Sequence, residues 1–382
     1  MPSSSRNLSP LETAQAADAV YDIRLKDDVT KAFGNTLIKD QFTLGDSSRF
    51  KGKSGIFRSE SGFGVIGQGT GSRQGEVVIV TRGTVTGADW FNNAMAISTM
   101  SSNNKAVHKG FNQIFNSFKN DLAIQLRAMN PSRVHCIGHS LGGALANLIA
   151  EWVDAKGLGS PHVYTFGSPR VGKDSFSESL TYKLGAERIN RAYHKTDIVP
   201  MVPVWPFIHS PQPGLSCFIN SPGDYPGAKY HDRKLYISSA RGHNDWGTMR
   251  QRHPKTNMEK QVENWLDSDS PLSLTGNTIS MINSAILYVI KKLALAGLQF
   301  VIGGAVNVVD VLANFLAKAA RVTKEVHSLI GRLMRRILRA LGKVVTAVKD
   351  ITYSFVKWIL ESLASAMFRT AKMAVGFTHR YL

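Results

Sequence analysis

Cysteine is nearly absent from this chain, with two in 382 residues. That excludes a disulfide scaffold and any four-cysteine zinc site. No other metal-ligand spacing is visible, so neither a metal nor a cofactor is expected. Acidic residues are also scarce, 28 against 46 Lys+Arg, which leaves a net charge of +18. Such an excess calls for an acidic partner, either nucleic acid or an anionic membrane. Charged residues make up only 19% of the chain and apolar ones 43%, a balance that excludes a disordered or collagen-like chain. The opening MPSSSRNLSP lacks the apolar run of a secretory signal. A protein made in the cytoplasm and, if exported, exported by a leaderless route is expected, with residues 1–10 disordered.

Proline is missing after Pro271, where the composition shifts. The part from Pro271 to Leu382 holds 15 Lys/Arg and four Asp/Glu, a net of +11. Domains are therefore expected at 11–266 and 272–382, with 267–271 as linker. In the second, Ile279–Ile290 and the uncharged Leu293–Val309 form a broken apolar hairpin, slightly short of the roughly 20 residues a bilayer span needs. Val326–Lys349 then places Leu329, Ile330, Leu333, Met334 and Ile337 on one side at helical spacing, and Arg332, Arg335, Arg336, Arg339 and Lys343 on the other. That is the pattern of a helix lying on an anionic bilayer. No aromatic interleaving accompanies the basic face, so nucleic acid is not the expected partner.

The first 266 residues alternate short apolar strands with helical segments. Glu76–Thr81 and Val134–Ile137 read as strands, Gly110–Met129 and Gly143–Lys156 as helices, and His162–Phe166 and Ile189–Tyr193 as further strands. This order implies an α/β fold with a mostly parallel sheet covered by helices on both faces, followed by an all-helical C-terminal domain. Between the Val134–Ile137 strand and its helix stands Gly138-His139-Ser140-Leu141-Gly142. A Gly-x-Ser-x-Gly turn in that position lifts a serine above the sheet and aims the N–H groups of the helix at the reaction centre. Ser140 is thus the candidate nucleophile and the Leu141 N–H a candidate oxyanion donor.

Val134–Gly143 (VHCIGHSLGG) resembles the elbow of the class 3 lipases, a fungal-lipase-like branch of the α/β-hydrolases. Four more segments match in order: Thr81–Thr84 with Asp89-Trp90, Val107–Phe111, Thr165–Gly172 (TFGSPRVG) and His194–Pro200 (HKTDIVP). The resemblance implies ester hydrolysis by a Ser-Asp-His triad on an interfacial lipid. A leaderless chain with a membrane-seeking tail also resembles the antibacterial lipase effectors of bacterial type VI machines. An immunity protein or a secretion chaperone would then be its partner.

In this fold the acid and then the histidine follow the serine. Asp197 fits the acid, with Asp174 as the alternative. His253, directly before the segment Thr256–Leu266, is similar to the family's loop-to-helix histidine and is the expected base. His243 and His231 stay open as alternatives, and His209 looks structural. Thr84, after the Glu76–Thr81 strand, is the expected second oxyanion donor. Arg82 reads as a brace, and Val85–Lys105, with Trp90 and Phe91, as a lid over a lipid pocket. The basic C-terminal helix favours a phospholipid substrate, and hence phospholipase A-like activity, over a neutral triacylglycerol.

Overall fold

The computed structural model describes residues 7–24, 28–54, 59–83, 97–219, 227–250, 258–298, 307–345, 348 and 350–377. An eight-stranded sheet carries the fold among these residues. Its order is β1 (Phe42–Thr43), β3 (Ser59–Gly69), β4 (Glu76–Thr81), β7 (Arg133–His139), β8 (Ser160–Phe166), β9 (Ile189–His194), β10 (Cys217–Ile219), with β2 (Arg49–Ser54) also paired to β3. From β4 to β10 all neighbours are parallel, while β1, β2 and β4 meet β3 antiparallel. A small pair, β5 (Ser98–Met100) and β6 (Ala106–His108), lies off the sheet. The fold is α/β, with a sheet that is mostly parallel as expected. β4 is buried along its whole length, so its Val-Val-Ile-Val run needs no alternation.

Helices cover both faces. On one side lie α1 (Pro10–Ala19) and α2 (Val29–Phe33) with Tyr236 and Trp246. On the other lie α3 (Lys109–Met129) and α4 (Leu141–Ala155). Residues 8–10, expected to be disordered, are in fact anchored. Leu8 is fully buried, its carbonyl accepts the Trp246 indole N–H at 2.9 Å, and Ser9 and Glu12 form a reciprocal capping box that starts α1. Burial of one leucine and satisfaction of one indole outweigh the polar composition that suggested a loose end.

After α5 (Asp174–Leu184), α6 (Arg233–Ala240) and α7 (Trp246–Met249), the chain continues in α8 (Met258–Asp267), α9 (Gly276–Leu295), α10 (Val308–Ala319), α11 (Lys324–Ala340) and α12 (Tyr353–Phe377). Their apolar faces do not form a core of their own. One apolar cluster runs from Phe50 and Phe111 through Ile282 and Leu333 to Val375. α9 is the one helix among the described residues long and apolar enough to cross a membrane, and half of its apolar window is buried in the protein. The uncharged run Leu293–Val309 is not one helix: α9 ends at Leu295 and Gly297 turns the chain at φ +82°.

The arginine row on α11 departs from expectation. Arg336, placed on the outer side by periodicity, is 1% exposed. Its Nη1 donates to the carbonyls of Ser268 (2.7 Å) and Ser270 (3.1 Å), and its guanidinium lies 4.6 Å from the Trp265 ring centroid. Arg332 pairs with Asp267, and Arg335 and Arg339 both pair with Asp269. The expected linker is therefore a clasp that the arginines close. A helical wheel cannot see this, because it shows only one helix and not the acidic segment laid across it.

Candidate active site

Strand β7 delivers Ser140 at its C-terminal edge. Ser140 has φ 60° and ψ −132°, a strained conformation for a side-chain-bearing residue. The strain persists because neighbours over-determine the turn. The Ser140 N–H donates to Phe166 O at 2.9 Å, and the Thr81 hydroxyl donates to Gly142 O at 2.7 Å. Both elbow glycines are required sterically. A Cβ on Gly138 would stand 2.2 Å from the Gly142 carbonyl, and one on Gly142 would stand 2.1 Å from Thr81 O. Leu141 opens α4, where a backbone N–H has no partner within the helix, as an oxyanion donor must.

Asp197 is fully buried just past β9. Its Oδ1 accepts the Val199 N–H at 3.0 Å, and its Oδ2 accepts both the Tyr236 hydroxyl at 2.7 Å and His231 Nδ1 at 2.8 Å. Burial and the Asp197 carboxylate push the Tyr236 pKa well up, so its hydroxyl stays a donor. The histidine that Asp197 holds is thus His231, at the end of the short helical turn Ala228–His231. It is a candidate base, one of the alternatives left open beside the expected His253. His253 falls in 251–257, outside the described residues. His243 lies 3.3 Å by Nδ1 from Thr248 Oγ1, on a half-exposed loop. Asp174 is exposed at the start of α5.

His231 stands beside the elbow. Its ring packs against His139 with centroids 4.5 Å apart, and His139 Nε2 donates to the His231 carbonyl at 3.0 Å. Gly167, in the Thr165–Gly172 motif, makes room for the pair. It has φ +57°, and a Cβ there would lie 2.8 Å from Asp197 Oδ2 and 3.0 Å from His231 Nδ1. Ser140 Oγ and His231 Nε2 are both buried and have no hydrogen-bond partner among the described residues. Both atoms are therefore shielded in this state. Helix α12 packs against both the turn bearing His231 and the turn Val199–Met201 that follows Asp197.

Residues 78–207 match the family described as Lipase (class 3). That segment is similar to the class 3 lipases. It contains the elbow, the Thr165–Gly172 motif and Asp197. Similar curated proteins include "Secreted mono- and diacylglycerol lipase 1" of Fusarium solani, 32% identical over 141 residues, covering 35% of this chain and 41% of that one. "Toxin TseL" of Vibrio cholerae is 36% identical over 101 residues, covering 26% and 15%. Among solved structures, a mutant form of MDLA from Penicillium cyclopium aligns at TM-score 0.44 and 23% identity, over 58% of this chain and 83% of that one. The chain spans less than half the length of the curated relatives it matches.

Around the elbow, the structure adds residues that no sequence motif marks. Tyr21, just beyond α1, accepts the Gly83 N–H at 3.0 Å and lies 3.0 Å from His139 Nδ1. Burial pushes its pKa up to about 12. It thereby ties the loop after β4 to the elbow. Tyr236 does the same for Asp197. Neither has a local signature, since Tyr21 and His139 are separated by 118 positions. Arg82 braces that loop as expected, through the carbonyls of Gly62 and Gly83. Thr84, and Trp90 and Phe91 of the expected lid, fall in 84–96, outside the described residues.

Proposed function

We propose that this chain hydrolyses carboxyl esters of glycerolipids, with Ser140 as nucleophile, His231 as general base and Asp197 as the acid that orients it. The observation that carries this is the buried Asp197–His231 pair at 2.8 Å beside a strained serine elbow. Asp197 Oδ2 accepts the Nδ1–H, which leaves the Nε2 lone pair free to take a proton. Ser140 Oγ attacks the acyl carbon as its proton passes to His231 Nε2. The tetrahedral oxyanion is held by backbone N–H groups, that of Leu141 first among them. The imidazolium then protonates the departing alcohol, and a water repeats the sequence to free the fatty acid.

For the lipid, acylglycerols are the first reading, supported by the relatives named as mono- and diacylglycerol lipases. Phospholipase A-like activity at an anionic bilayer is the second, supported by the net +11 beyond Pro271. The arginine row gives that reading less support than its pattern promised, because Asp267, Asp269 and the adjoining carbonyls already engage it. Antibacterial action, with an immunity protein or secretion chaperone as partner, is supported by the relative named Toxin TseL.

The test is hydrolysis of a short-chain nitrophenyl ester by the wild type beside Ser140→Ala, then fatty-acid release from diacylglycerol emulsion and from phosphatidylglycerol vesicles. Loss of all three with Ser140→Ala supports the mechanism, and their ratio in the wild type selects the lipid. Expression directed to a bacterial periplasm reads toxicity. Equal toxicity of wild type and Ser140→Ala would point to a membrane disrupter that is not an enzyme.

A further inference from the structure

Two arginines that hydrolysis does not use line one cavity of about 310 Å³. It lies between β9, the loop 203–216 and helix α9. Arg170, from the Thr165–Gly172 motif, donates Nη1–H to Pro203 O at 3.0 Å and to Asn283 Oδ1 on α9 at 3.1 Å. Arg191, from β9, lies with its guanidinium 4.0 Å from the Tyr193 ring centroid and donates Nε–H to Ser216 Oγ at 3.1 Å. It is 8% exposed, and its buried Nη1 has no hydrogen-bond partner among the described residues.

No aspartate or glutamate lines the cavity, and among the described residues neither arginine has a carboxylate partner. Buried guanidinium groups are ordinarily paired, because an unneutralised buried charge is costly. The surroundings register the uncompensated field. Burial and Arg191 push the Arg170 pKa down to about 10, and burial with both arginines pushes His209, which also lines the cavity, well below its ordinary value. What relief there is comes from neutral amide, hydroxyl and carbonyl oxygens.

We propose that this cavity is a binding site for a phosphate group, gripped by the guanidinium groups of Arg170 and Arg191. A planar guanidinium with unfilled N–H groups fits a tetrahedral oxyanion in a way that a point charge does not. The rim is partly apolar. Leu215 and Leu287, 46% and 44% exposed, line the same cavity and offer apolar surface beside the charged well. A phospholipid headgroup and free inorganic phosphate share the recognised chemistry. The site does not depend on the hydrolytic reading.

The experiment uses the full chain at constant ionic strength, with inorganic phosphate as probe. Thermal melting and tryptophan fluorescence are read together, since Trp205 lines the cavity. A saturable response is expected, with Tm rising about 2 °C at a tenfold excess over Kd. Arg191→Gln should weaken phosphate at least tenfold. Gln212→Glu places a carboxylate at an exposed position on the rim and should weaken it in the same direction. This second variant carries the test if Arg191→Gln does not fold. Both should keep nitrophenyl-ester hydrolysis, so the outcome is read separately from catalysis. Competition by phosphatidylglycerol vesicles, and none by phosphate-free galactolipid vesicles, would assign the site to a headgroup. Competition by neither would assign it to the free ion. Absence of a saturable phosphate response, or an equal response in Gln212→Glu, would overturn the proposal.

Discussion

Replacing Asp197 by Asn changes one atom and should nearly abolish catalysis on the proposed mechanism. Asp197 accepts three hydrogen bonds and donates none. Oδ1 takes the Val199 N–H, and Oδ2 takes Tyr236 O–H and His231 Nδ1–H. An asparagine must put its NH₂ in one of those two places. Set against Val199 it would face a donor with a donor, at about 1–3 kcal/mol. The amide therefore turns its NH₂ toward His231, which must then accept at Nδ1 and carry its proton on Nε2. In that tautomer it cannot take the Ser140 proton. Loss of the tautomer in triad enzymes costs about 10⁴ in kcat, equivalent to about 5.5 kcal/mol of barrier. The fold should lose only about 1–2 kcal/mol, from the Tyr236 hydroxyl left without an acceptor. The assay is nitrophenyl-ester kcat beside a thermal melt. An Asn variant that keeps kcat within tenfold of wild type would refute the assignment of Asp197.

His231→Ala should cost about 10³–10⁵ in kcat, while His253→Ala should stay within about twofold; the reverse ranking would return the base to His253. Gly142→Ala brings a Cβ to 2.1 Å from the backbone oxygen of Thr81, which cannot swing aside. It should lower stability by about 3 kcal/mol or more, or abolish soluble expression. Lys173 is buried, its Nζ has no partner among the described residues, and burial lowers its pKa to about 8. The unfolded chain therefore binds the extra proton between about pH 8 and the ordinary lysine value, so this group's penalty is complete below pH 8 and fades as pH rises. Lys173→Met should melt higher than wild type at pH 7, with the gap closing by about pH 10.5; a gap independent of pH would sink the argument. Arg336→Met should cost about 2 kcal/mol through lost hydrogen bonds and stacking. Asp269→Asn, at a side chain 73% exposed, should cost less than about 0.5 kcal/mol. Equal losses in chemical denaturation would mean that the clasp is not centred on Arg336.

The sequence by itself determined what is local. Alternating strands and helices imply the mostly parallel sheet, and glycines at 138 and 142 with a serine between them specify the elbow, because the steric demands of that turn are met within five residues. Asp197 stood out as a candidate because its segment follows a strand in the chain order the fold requires. Only the tertiary structure decided which histidine serves Asp197. The turn Ala228–His231 has no signature of its own, and His231 is selected by burial and by contacts with Asp197 and His139, 34 and 92 positions away. Tertiary structure likewise decided the fate of the positive charge. Periodicity put the arginines of α11 on one face, but the acidic clasp at 267–269 that neutralises much of them belongs to another segment. Arg170 and Arg191, on separate elements, were left without a carboxylate partner among the described residues. Periodicity reports the faces of single elements, whereas charge pairing is settled where separate elements meet.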